Sequence, residues 1–177
     1  MKYYDILAVG EARQTVKEFG FSKFDKDVVV LSPEETDSAY RRDELVFVTA
    51  SNSLDKNKKI VRLPIDGIVD PFFPRASPFD KAMLTVARDN DLVIVITLSK
   101  FLSTRGIDRA RLIVKARRLI ALAHKERVPI VISSKAEHPF ELRTPFQLVN
   151  LGIELGMTAE KARWAISKVP EALRRKK

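Results

Sequence analysis

The chain has 177 residues, 45% hydrophobic and 31% charged, the make-up of one soluble globular domain with a real core and with no apolar run near the roughly 20 residues a membrane helix needs. It carries no cysteine, which excludes disulfides and thiolate metal sites and makes a cytoplasmic location the expectation. The net charge of +9 is one-sided: residues 1–97 hold 14 Lys and Arg against 16 Asp and Glu (−2), residues 98–177 hold 18 against 7 (+11), a bias that suits a polyanion such as nucleic acid and that a solvated face alone explains less well.

The opening MKYYDILAVGEARQ has Asp5 within its apolar run and no small-residue cleavage site, so Tyr3–Val9 reads as a strand and not as a signal peptide. A short helix follows over Glu11–Phe19, then a strand at Val28–Leu31, a short helix at Pro33–Arg42 and a strand at Leu45–Val48. SNSLDKNKK reads as a polar loop, Ile60–Leu63 as ambiguous and Gly67–Val69 as a short strand. A helix over Pro78–Arg88 precedes Leu92–Leu98, LVIVITL, a continuous apolar run of the kind buried on both faces of a sheet. A long helix over about Ile107–Arg127, a strand at Pro129–Ile132 and three helices near Pro145–Leu155, Ala159–Lys168 and Pro170–Arg175 complete the chain. Strands alternating with helices predict parallel strands joined by crossovers, in an open doubly wound sheet or a barrel. No glycine-rich phosphate loop is present, and a full eightfold barrel usually takes at least about 200 residues, so a barrel here would be contracted. No linker or repeat divides residues 1–177, which read as a single domain.

The long helix has an apolar stripe, Leu112, Ile113, Ala116, Leu119, Ile120 and Ala123, and an opposite face carrying Arg111, Lys115, Arg118 and Lys125, with only Asp108 and Glu126 as nearby acids. Loops after parallel strands share one rim, which groups Arg75, Lys100, Arg105, Lys135, His138 and Arg143. Phe72, Phe73 and Phe101 interleave with these bases and either stack on nucleobases or pack beneath their own loops. A metal-dependent phosphoesterase would need several converging His, Asp and Glu; Asp70, Glu137 and His138 are the candidates, and a chain with two histidines makes them a poor cluster. The sequence therefore marks no catalytic residue and no metal ligand. The basic face would equally meet an acidic protein as a scaffold. In the helix that starts with Thr144-Pro145, Thr144 reads as the N-cap, Gly152 as a point of close approach and Gly156 as the C-terminal cap, with Phe146 and Ile153 among the apolar residues expected to be covered.

The segment FELRTPFQLVNLGIELGM, followed by TAEKARWAISKVPEALRRK, resembles the ribonuclease P protein component 3 family, the archaeal relatives of a eukaryotic ribonuclease P subunit. The likeness runs back through VITLSKFLSTRGIDRARLIVKARRL and GIVDPFFPRASPFDKAML; it is weak over Leu45–Ile65 and only an outline over the first forty residues. It implies an α/β, contracted or incomplete TIM-barrel-like fold, similar to the polymerase and histidinol phosphatase (PHP) phosphoesterases, with a mostly parallel sheet and outer helices. It implies a non-catalytic protein subunit that supports the catalytic RNA in removing the 5′ leader of precursor tRNA. It further implies magnesium held by that RNA and no cofactor bound by this chain. The implied partners are ribonuclease P RNA, precursor tRNA and a smaller RNA-binding protein subunit, in a heterodimer or heterotetramer, with no membrane. On this reading Arg75, Lys100, Arg105, Lys135, Arg143 and Arg163 are the expected RNA contacts, with Arg111, Lys115, Arg118, His138, Arg174 and Arg175 as further candidates.

Overall fold

A computed structural model describes residues 1–36, 44–76 and 79–175. Among these, five strands form one sheet: β1 (Val28–Leu31), β2 (Leu45–Thr49), β3 (Gly67–Val69), β4 (Val93–Thr97) and β5 (Ile130–Ser133). All neighbours are parallel and the order is β1-β2-β3-β4-β5, with Val48 opposite Ile68, Ile68 opposite Ile94 and Ile94 opposite Ile130. A doubly wound sheet reverses its order partway across; this one never does, which selects the barrel-like alternative. Helix α1 (Gly10–Thr15) precedes β1, and α2 (Leu54–Ile60), α3 (Lys81–Asp89), α4 (Leu98–Leu102) and α5 (Gly106–Glu126) serve the crossovers between β2 and β5. After β5 come a 3-10 turn at Pro139–Glu141 and helices α6 (Pro145–Glu154), α7 (Ala159–Ala165) and α8 (Lys168–Arg174).

The period-two alternation of the strands divides the core in two. Val46, Val48, Ile68, Ile94, Ile96, Ile130 and Ile132 face outward, where Met83, Leu84, Leu112, Leu119, Ile120 and Leu148 cover them. Leu45, Phe47, Val69, Val93, Val95 and Val131 face inward and meet Tyr4, Ile6, Leu7 and Phe24. Leu173 of α8, with Val169 against it, joins this inner cluster beside Val93 and Pro129, so α8 stops the end where the strands begin. The inside of the sheet is a packed core, as in larger barrels. Among the described residues, no helix is long and apolar enough to cross a membrane.

Three expectations need correction. Tyr3–Val9 is not a strand: its amides go singly to Ile166 O (2.8 Å, from Tyr4), Ser133 Oγ (3.1 Å, from Leu7) and Ala136 O (2.9 Å, from Val9). A side chain, Asp5, anchors the segment to the end of β5 instead of a ladder. SNSLDKNKK is not a loop, because Ser53 caps α2 and Asn57, fully buried, exchanges two 2.8 Å hydrogen bonds with the Ser51 backbone. The segment after β4, expected as a loop carrying Lys100 and Arg105, holds α4, capped by Thr97. The helix expected at Pro33–Arg42 lies largely outside the described residues, as does Pro78; α3 itself starts at Lys81, where Asp80 accepts the Met83 amide at 2.9 Å.

Candidate nucleic-acid interface

The carboxyl ends of the strands form a mouth in which the inward-facing row changes from apolar to polar. Thr97 and Ser133 follow Val95 and Val131, and both are fully buried. Asp70, the residue after β3, turns over the mouth at φ +52. Its Oδ1 accepts the Thr97 amide at 2.8 Å and its Oδ2 accepts the Thr97 hydroxyl at 2.6 Å. Burial pushes its carboxyl up to about 6, although these bonds and the Lys100 and Lys135 cations pull the other way. Asp5 accepts from the Ser133 hydroxyl and from the Ser134 amide at 3.0 Å, and burial raises it too. Both carboxylates are thus spent on holding loops together.

A phosphoesterase site is not assembled here. Asp70 sits on Thr97, whereas His138 lies at the surface, 3.9 Å from Glu11 and stacked on Phe140, and Glu137 is exposed. Among the described residues no three His, Cys, Asp or Glu side chains gather as a metal site. His124, inside α5, is held below its ordinary value by burial and by Lys161.

The expected basic residues fall into three places. The first lies along the β3–α3 loop and α5, where Asp108 joins Arg75 (3.7 Å) to Arg111 (3.2 Å) and so ties the two elements together. Beside them Lys115 and Arg118 border a cleft of about 350 Å³ floored by Phe72, Phe79, Leu119 and Leu122, with Lys81 at its edge. Lys100 lies 4.5 Å over the Phe73 ring, and Arg105 is exposed at the N-cap of α5. Phe72 and Phe101 stack on one another at 5.6 Å and are buried, so they pack under their loops and offer no face to a base. Lys81 was not anticipated; its only sequence signal is its place at the start of a helix next to the basic one.

The second place is the corner after β5. Lys135 adopts φ +53 and is half-buried. Arg143 Nη1 donates to the carbonyls of Phe140 (3.0 Å) and Leu142 (2.7 Å), so one end of this guanidinium fastens the corner itself. Glu141 accepts the amides of Glu137 (2.8 Å) and His138 (3.2 Å), bonds that hold its carboxyl below the usual range. The corner also exposes Phe146 (72%) and Ile153 (41%), where the sequence suggested cover, and Phe140 (76%). The third place is the outer layer: Arg163 is exposed on α7, Arg174 lies 3.4 Å from Asp25 and Arg175 3.5 Å from Glu171 on α8, the helix that stops the opposite end of the sheet. The structure therefore brings Arg75, Lys100, Arg105, Arg111, Lys115 and Arg118 onto one side, with Lys135 near enough to Lys100 for both to act on Asp70, and leaves Arg163, Arg174 and Arg175 apart from them.

Comparison with known proteins gives a consistent set of likenesses. Residues 62–177 match the family model described as RNase P subunit p30. A ribonuclease P protein component 3 from Methanosarcina barkeri is 30% identical over 135 residues, covering 76% of this chain and 56% of that protein. Proteins of the same name from Thermococcus kodakarensis (30% over 118 residues, 66% of this chain and 54% of the relative) and Archaeoglobus fulgidus (31% over 135 residues, 75% and 66%) are similar. The chain thus spans a little over half the length of the first two. Among solved structures, a chain of an archaeal ribonuclease P with mature tRNA, seen by cryo-electron microscopy, superposes with a TM-score of 0.71 at 20% identity, over 98% of this chain and 79% of that one. A crystal structure of a prolidase complexed with N-methylphosphonate-L-proline superposes at 0.55 with 14% identity, over 78% of this chain and 35% of that one. At these identities the superpositions speak for the contracted TIM-barrel-like fold.

Proposed function

Because the chain belongs to the RNase P subunit p30 family, we propose that it is a non-catalytic, RNA-binding protein subunit of ribonuclease P, supporting the catalytic RNA as that RNA removes the 5′ leader of precursor tRNA. The observation that carries the RNA-binding part is the joined basic face. Arg75, Lys100, Arg105, Arg111, Lys115 and Arg118 stand on the β3–α3 loop, α4 and α5, and residues 98–133 hold nine Lys and Arg against two Asp and Glu. Fixed cations spaced along a rigid helix suit a phosphate backbone, because each phosphate neutralised releases condensed counterions. Lys135, near Lys100, and Arg163, Arg174 and Arg175, farther out, would be secondary contacts, whereas His138 and Arg143 are engaged in the corner after β5. Magnesium belongs with the catalytic RNA and this chain binds no cofactor of its own. A smaller RNA-binding protein subunit completes the assembly, in a heterodimer or heterotetramer, in the cytoplasm.

The test is the affinity for ribonuclease P RNA across a salt series, for the native chain and for a variant carrying Arg111→Glu, Lys115→Glu and Arg118→Glu. The logarithm of the native affinity should fall steeply with the logarithm of salt concentration, and the variant should lose about one unit of slope for each phosphate contact removed. An affinity indifferent to salt, or a variant that binds like the native chain, overturns the reading.

A further inference from the structure

We propose that the corner formed by the Pro139–Glu141 turn and the start of α6 is a docking surface for a protein partner with a basic surface, separate from the basic face of α5. Among the ten phenylalanines, only Phe140 and Phe146 are exposed, at 76% and 72%. Ile153, also 41% exposed, lies two turns along α6 from Phe146 on the same face. Large apolar groups left in water on a short turn and on the helix that follows it mark a contact site.

The corner is also rigid. His138 stacks parallel to Phe140 at 5.4 Å and 7°, Arg143 pins two carbonyls, Glu141 holds two amides, and Thr144 and Gln147 cap α6 reciprocally. Aromatic groups presented without an ordering penalty are the usual anchors of a protein interface.

Charge decides what the partner is. Residues 134–157 carry Lys135 and Arg143 against Glu137, Glu141 and Glu154, a balance of −1, whereas residues 98–133 stand at +7. Glu11, 76% exposed, adds a further acid 3.9 Å from His138. A phosphate backbone would meet acids here, and one nitrogen of the Arg143 guanidinium is already occupied. An apolar-centred protein surface with Lys and Arg at its edge complements both the rings and the acids.

The choice of probe rests on the function proposed above: the purified smaller RNA-binding subunit serves as the basic protein. Its affinity is measured for the native chain, for the double variant Phe140→Ser with Phe146→Ser, and for Glu137→Arg, alongside the affinity of each for ribonuclease P RNA and its thermal midpoint. The two serines should weaken subunit binding by about 30-fold or more, as loss of an anchor residue does. Glu137→Arg should weaken it as well, with RNA affinity and melting unchanged in all variants. Unaltered subunit binding in the variants overturns the proposal. So does RNA affinity that falls with the serines and rises with Glu137→Arg, which would make the corner a platform for nucleobases. A native chain that self-associates through these rings and ignores the subunit assigns the surface to a second copy and also overturns it. If the native chain binds RNA but not the subunit, this proposal and the partner in the assembly fail together while the RNA-binding reading stands.

Discussion

Asp70→Asn should make the protein more stable at neutral pH than the native chain. The Asp70 carboxyl is 4% exposed, and its position at about 6, against 3.8 when free, means that the folded chain holds this proton more tightly than the unfolded chain does. Below about pH 3 the group is protonated in both states and contributes nothing. Between about pH 3 and 6 the unfolded chain ionises first, and stability falls as the pH rises; above about pH 6.5 nearly the full loss is in place. The gap from 3.8 to about 6 corresponds to about 3 kcal/mol. Asparagine preserves the geometry. Its oxygen can accept the Thr97 amide, its amide can donate to Thr97 Oγ1, and that hydroxyl can turn to Ser99 Oγ, 3.1 Å away. Asparagine also tolerates the left-handed backbone found at this position, φ +52. Urea unfolding of both proteins at pH 4, 5, 6 and 7.5 isolates the group, because every other titration cancels in the difference. The difference should grow by about 2–3 kcal/mol in favour of asparagine between the extremes. A difference independent of pH, or one that grows in favour of the native chain, would refute the assignment of a burial-raised carboxyl.

Two further changes probe the frame that carries both surfaces. A Cβ at Gly152 would stand 2.7 Å from Ile132 Cδ1 and 2.9 Å from Ala162 Cβ, so Gly152→Ala sets about 1 kcal/mol of helix propensity against overpacking of about 1–3 kcal/mol. A net loss of about 1–2 kcal/mol is expected in urea unfolding, and a stabilised variant would show that α6 can back away from β5. Thr144→Ala removes the oxygen that accepts the Gln147 amide at 3.4 Å and should lower stability by about 1 kcal/mol, seen as a small drop in Tm with RNA affinity intact.

The parallel sheet was legible because its strands are short β-branched runs bounded by turn residues; Val28–Leu31 and Gly67–Val69 read from sequence with the bounds found in the fold. Tyr3–Val9 misled because an apolar segment looks the same whether a backbone ladder or a buried Asp5 holds it in place. Helix α2 was hidden because it buries an asparagine, Asn57, along with Ile60, and so shows no apolar stripe. At the interface, sequence showed which residues are basic but not how they are grouped. Asp108 pairing with both Arg75 and Arg111 is a fact of folding, and so is the diversion of Arg143 into its own corner. The exposure of Phe146 left no trace, since a large apolar residue in the first turn of a largely apolar helix looks like core.

Gly67 and Phe47 lie side by side in adjacent strands, and a Cβ on Gly67 would come within 2.9 Å of the Phe47 ring and 2.7 Å of the Val93 carbonyl oxygen. The two positions thus divide a single volume at the centre of the molecule: the ring occupies what the glycine gives up. That ring stands where a hollow barrel would keep its chamber, and α8 stops the chamber from below. What remains for chemistry or recognition is the outside of the molecule, and two unlike outer surfaces then become the natural way for one such fold to hold two different molecules at once.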